Sequence, residues 1–158
     1  MDVLTPKGQI SVKDERRAVE IFQHNYPQFR YLHTPKDSPA IIDALIVKSD
    51  VLYSAVETKC RDMDVNEFYG RFKGSWLVTY EKIEKARQMA ISLGIGLTGF
   101  LYLKQSDTLL VKQIVSPDGL FSQRLHIEAT ETQRTINGGL AVRNNAYIDM
   151  NGATKLVI

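Results

Sequence analysis

Ala40-Ile41-Ile42-Asp43-Ala44-Leu45-Ile46-Val47, then Lys48-Ser49-Asp50, then Val51-Leu52-Tyr53-Ser54-Ala55-Val56-Glu57-Thr58-Lys59 is the stretch that decides the fold. Two apolar runs rich in Ile, Val, Leu and Tyr flank a short polar turn, which predicts a β-hairpin over 40–47 and 51–59. Each run carries an acid where burial is expected. A buried charge has to be neutralised, paired or bound to a cation, so Asp43 and Glu57 require a chemical reason. Side chains alternate between the faces of a strand, so Glu57 and Lys59 share one face and Thr58 takes the other. A short loop around Asp50 would set Asp43 opposite Glu57 on the same face, and a slip of one residue would turn it away. The sequence leaves that register open.

In the favourable register two carboxylates converge beside an ammonium. Oxygen donors of this kind suit Mg2+, with Mn2+ as a substitute, because such cations keep several waters and accept one or two carboxylates plus a phosphate oxygen. Asp43 and Glu57 are the expected metal ligands, with the main-chain carbonyl of Thr58 as a further donor. Lys59 is expected to orient or deprotonate water and to stabilise developing negative charge.

Outward from the hairpin, residues 12–26 read as an amphipathic helix with Ala18, Val19, Phe22 and Tyr26 on one side. Glu15 falls within that apolar arc, either as a third carboxylate for the site or as a first-turn acid favoured by the helix dipole. Residues up to Ser11 read as an arm, since Pro6 and Gly8 argue against regular structure. A strand is expected over 28–34 and a turn over 35–39. Asp64 and Glu67 form a capping box for a short helical turn. Ser75 is the expected cap of a main helix over 76–93 with the stripe Trp76, Tyr80, Ile83, Ala86 or Arg87, and Ala90, closed by Gly94. That helix is long enough to be a crossover, so strands 51–59 and 95–104 are candidates for parallel neighbours. A strand over 108–115 follows, then short strands over 120–128, 131–136, 140–149 and 153–158. Turns are expected at 116–119, 137–139 and 151–152.

The chain has 158 residues, 44% of them hydrophobic, which suits one domain with a core: about 12–115, plus a β-rich extension over 116–158. The net charge of +2 is interleaved along the chain, so nucleic acid would have to be met by a folded, local patch. Arg61 and Lys82 near the site, and Arg143 after a glycine-rich turn, are candidate DNA contacts, although solvated faces read the same way. Phe72, Trp76 and Tyr80 sit at helical spacing and read as core. One cysteine, Cys60, and three scattered histidines exclude an internal disulfide and argue against a zinc site. No secretory pattern or membrane-spanning run is present, which points to a cytoplasmic protein.

Asp43 followed by Glu57-Thr58-Lys59, each at the end of an apolar strand and followed by a helix, resembles the PD-(D/E)XK nuclease superfamily. Over residues 12–104 the chain is also similar to archaeal-type Holliday junction resolvases, whose leading helix carries Glu-Arg as Glu15-Arg16 does here. Ile42 stands where that motif usually has proline, and residues 120–158 lie outside the resemblance. The resemblance implies a restriction-endonuclease-like α/β fold, a mixed β-sheet flanked by helices. It also implies magnesium-dependent endonucleolytic hydrolysis of DNA, branched DNA included, with Asp43 and Glu57 on the metal, Lys59 catalytic and Glu15 as the helix acid. A homodimer would follow from cutting two strands symmetrically. The rivals are a restriction, repair or recombination nuclease of the same fold, a non-catalytic nucleic-acid-binding module, and a small viral or accessory protein in which the motif is accidental.

Overall fold

The computed structural model describes residues 6–35, 40–134 and 140–158. Helix α1 (Pro6–Asn25) leads into strands β1 (Phe29–His33), β2 (Ala44–Lys48) and β3 (Val51–Arg61). Helix α2 (Val65–Gly70), strand β4 (Ser75–Thr79), helix α3 (Tyr80–Leu93) and strands β5 (Gly96–Leu103) and β6 (Thr108–Val115) follow. Strands β7 (His126–Arg134), β8 (Leu140–Asp149) and β9 (Thr154–Leu156) complete the described chain. The class is mixed α/β: a 6-stranded sheet in the order β1-β2-β3-β5-β6-β9 and a 3-stranded sheet in the order β4-β8-β7. Within the larger sheet β3 and β5 are parallel, as the crossover helix between them allows, and the other neighbours are antiparallel.

The larger sheet is covered on both faces. On one, Ala18, Ile21 and Phe22 of α1 pack against Val56, Phe100 and Leu109. On the other, Ile83 and Ala86 of α3 and Trp76, Val78, Ala146 and Ile148 of the smaller sheet pack against Ala55, Leu97 and Leu101. Each large aliphatic side chain fully withdrawn from water in these layers stabilises by about 1.5–3 kcal/mol. The alternation along β3 follows: Val56, Thr58 and Cys60 face α1, whereas Ala55, Glu57, Lys59 and Arg61 face α3 and the smaller sheet.

Several expectations hold at the level of single residues. Asp64 caps α2, accepting from the Glu67 N–H at 2.7 Å. Gly94 closes α3 with φ of 69°, in the left-handed region that glycine enters without strain. Cys60 lies on the α1 side, partly buried against that apolar cluster.

Others are corrected. Helix α1 begins at Pro6, not at residue 12, because proline is tolerated in a first helical turn, where its missing N–H has no acceptor to lose. Ser75 caps no helix: 75–79 is a strand with Trp76 and Val78 buried, and α3 starts at Tyr80. Period-two burial overrides the helical spacing of Trp76, Tyr80 and Ile83. Phe72 is 39% exposed and so is not a core residue. Strand β7 runs unbroken from His126 to Arg134 across the break expected between 120–128 and 131–136, and the C-terminal region is built into the body of the fold. It builds the smaller sheet with β4, and β9 joins the edge of the larger one. Of the turn expected over 35–39 only Pro35 is described, and the turn expected over 137–139 lies outside the described residues.

One ion pair ties α1 to the turn between β5 and β6. Arg17 donates from Nε to Asp107 Oδ1 at 2.9 Å and from its terminal nitrogen to Oδ2 at 2.6 Å, and the Tyr102 hydroxyl adds a bond at 2.6 Å. These donors, Arg17 foremost, hold the Asp107 carboxyl down at about 2. A depressed carboxyl contributes stability above its ordinary range and loses it as pH falls toward the lowered value. Asp107→Asn keeps a residue that tolerates φ of 46°. It is expected to cost about 1 kcal/mol at neutral pH, because the pair is part-exposed and solvent-screened, and almost nothing near pH 2. Urea denaturation across that range measures the difference.

Candidate active site

The hairpin turn is tight, with Ser49 and Asp50 at φ of 51° and 61°, as a two-residue turn matched to strand twist requires. Lys48 pairs with Val51 and Val47 with Leu52, but Ile46 pairs with Ser54, so Tyr53 is skipped. This bulge inserts one residue into β3 and re-aims everything beyond it. Without it Asp43 would stand opposite Val56. With it, Ala44 pairs with Val56, and Asp43, just before β2, comes level with Glu57.

The main chain of Asp43 is fixed on both sides. Its N–H donates to Val56 O at 3.0 Å, and its carbonyl accepts from Thr34 N at 3.1 Å and Thr34 Oγ1 at 2.8 Å. Its carboxylate accepts the Thr58 N–H at 2.8 Å. The N–H and C=O of one strand residue point to the same side. The Thr58 carbonyl is therefore directed to the side that Asp43 occupies, beyond the end of β2.

Glu57 is fully buried. Lys82 Nζ from the first turn of α3 lies 2.9 Å from Glu57 Oε1, and Lys59 Nζ lies 3.8 Å from the same oxygen. Both are ion pairs without hydrogen-bond geometry, and Glu57 Oε2 has no hydrogen-bond partner among the described residues. Burial and then the charge of Asp43 push the Glu57 carboxyl up to about 7, against the pull of Lys82 and Lys59. The two lysines are driven apart. Burial, reinforced by the like charge of Lys82, lowers Lys59. Burial also opposes the charge on Lys82, but attraction to Glu57 outweighs it and raises Lys82. The cluster thus holds one ammonium biased toward losing its proton and one biased toward keeping it.

Among the expected site residues, Asp43, Glu57, Thr58 and Lys59 are brought together. Glu15 approaches from the α1 side, where its charge acts on Tyr31 and Cys60. The charge of Asp43 acts on Tyr31 as well as on Glu57. Arg61 continues the site face of β3, and its guanidinium donates to the carbonyls of Cys60 at 3.2 Å and Leu77 at 3.3 Å. Arg143 is exposed on β8, and its charge acts on Glu81 at the start of α3. Lys82, expected as a candidate DNA contact, is the closest cation to the buried carboxylate among the described residues. Its sequence signal is its position four residues before Ala86, on the edge of the buried stripe of α3.

No group of three or more His, Cys, Asp or Glu side chains poised to hold a metal occurs among the described residues. The donors present still fit one hard divalent cation. Two converging carboxylates, one with an orphaned buried oxygen, are what Mg2+ accepts while keeping most of its waters. No family model and no curated protein matches this chain.

Proposed function

We propose that the chain is a magnesium-dependent deoxyribonuclease of the PD-(D/E)XK kind, with the restriction-endonuclease-like arrangement of that superfamily. The observation that carries the reading is the buried Glu57 carboxylate, level with Asp43, carrying an unpartnered oxygen and flanked by two lysines. A protein keeps such a group against its desolvation cost when the charge is used. The order antiparallel β1-β2-β3, then parallel β5 reached across α3, supports the fold assignment.

In this reading Asp43 and Glu57 would hold the cation, with the Thr58 carbonyl beside them. When bound, the cation neutralises phosphodiester charge and lowers the pKa of water. Lys59, held toward its neutral form, takes the proton of the attacking water. Lys82 stays charged and faces the phosphate oxygens. Glu15 is a helix acid on the Asp43 side. Arg61 and Arg143 are available to DNA backbone, and a homodimer would pair two such sites for two strands. No helix among the described residues is long and apolar enough to cross a membrane.

The test is a cleavage assay with duplex, single-stranded and four-way-branched DNA. Hydrolysis that requires Mg2+ or Mn2+ is expected, with branched DNA the preferred substrate. Intact DNA of every form in both metals would refute the reading.

A further inference from the structure

Beyond Lys59 the site face of β3 runs on to Arg61, where the surface opens into a pocket of about 360 Å³. The strand register fixes its relation to the carboxylates. Glu57 pairs with Gly99, and Lys59 with Leu101, which lies in the pocket floor. Trp76 forms a wall, and its indole also packs on Gly99, where an added Cβ would sit 2.6 Å from Cζ3. Trp76 therefore runs from the pocket to the strand position that pairs with Glu57. Phe72 and Tyr147 supply two more aromatic walls, and Arg61 supplies its charge. Phe72 and Leu77 at the rim are 39% and 44% exposed.

We propose that this pocket receives an unpaired nucleobase from the DNA strand whose phosphodiester lies at Asp43, Glu57 and Lys59. The inference rests on the nuclease reading and names its substrate class: DNA with a base out of the stack. The volume falls in the range of small-ligand sites, and the accessible rings of Phe72 and Tyr147, with the buried Trp76 behind them, select a planar ring. Two residues of strand separate Lys59 from Arg61 by about 7 Å, so a nucleotide with its phosphate at Lys59 sets its base near Arg61. The two carbonyl bonds of Arg61 leave further N–H donors for a base edge. The adjoining lysines, 33% and 39% exposed, favour a polyanion over an apolar peptide.

The chain has one tryptophan, so its fluorescence reports on this pocket. The full chain in EDTA is titrated with an oligothymidylate and with an abasic strand of equal length. The thymidylate is expected to change the emission and to bind at least about fivefold tighter. Phe72→Ala, which alters a part-exposed side chain, is expected to erase that preference while keeping the abasic affinity and the circular dichroism. Equal affinities, or a preference untouched by Phe72→Ala, overturn the proposal. If DNA is cleaved but the two strands bind alike, the pocket assignment alone fails. If neither strand binds, the pocket and the DNA reading fall together. Emission that responds to a leucine-rich peptide but not to thymidylate gives the pocket to an apolar partner and overturns the proposal.

Discussion

Glu57→Gln is expected to abolish metal-dependent cleavage, by at least about a thousandfold, and to make the metal-free protein more stable at neutral pH. The loss follows from removing a charged ligand from a cation that stabilises the transition state by several kcal/mol. The gain follows from the cost of that charge without the cation. Burial and Asp43 raise the Glu57 carboxyl from 4.5 to about 7, so the folded chain holds this proton more tightly than the unfolded chain does. The stability that goes with the proton is complete below 4.5 and is lost as pH rises through 7. Wild type and variant should therefore denature alike near pH 4 in EDTA and diverge above it. By pH 8 the gap should reach about 1–3 kcal/mol. The lower figure allows for Lys82 losing its partner, which its 39% exposure lets it offset by turning to water. Magnesium should then stabilise the wild type and leave the variant unchanged. A variant less stable than wild type at pH 8 in EDTA would show that Glu57 is not held at a cost.

How much of this was legible in the letters depends on which period each segment obeys. The hairpin, the parallel β3–β5 pair and the face shared by Glu57 and Lys59 follow from strand alternation and from a helix long enough to cross over. The apposition of Asp43 and Glu57 did not follow from loop length alone. It needs the extra residue at Tyr53, and no residue type announces a bulge of this kind. Ser75-Trp76-Leu77-Val78-Thr79 fits two periods. Its aromatic and β-branched content favours a strand, yet Trp76 and Tyr80 also extend the helical stripe of Ile83 and Ala86. Only pairing with β8, a contact distant in sequence, decides between them. Drawing α3 from residue 76, four residues early, is also what left Lys82 as only one candidate DNA contact among several, because a first-turn lysine beside β3 looks like a solvated mid-helix lysine when the helix is drawn too long.

Lys59→Arg is expected to lower kcat by about a hundredfold or more, whereas Lys82→Arg should retain activity within about tenfold. The two lysines approach the same Glu57 oxygen, at 3.8 Å and 2.9 Å, so charge alone does not separate their roles. Their environments do. Lys59 is pushed toward neutrality by burial and by Lys82, which suits a group that accepts the proton of water. Lys82 is held charged by Glu57, which suits a group that only neutralises phosphate. Arginine keeps the positive charge and cannot lose its proton, so it substitutes for the second role and not for the first. The pH dependence sharpens the comparison. The wild-type rate should rise with pH as Lys59 deprotonates, and that limb should vanish from the residual rate of Lys59→Arg while persisting in Lys82→Arg. Folding is controlled by circular dichroism, and Mn2+ affinity confirms that the cation site survives each change. If Lys59→Arg cleaves at the wild-type rate with the same pH limb, Lys59 is not the base, and its place beside Glu57 would have to be explained by charge balance alone.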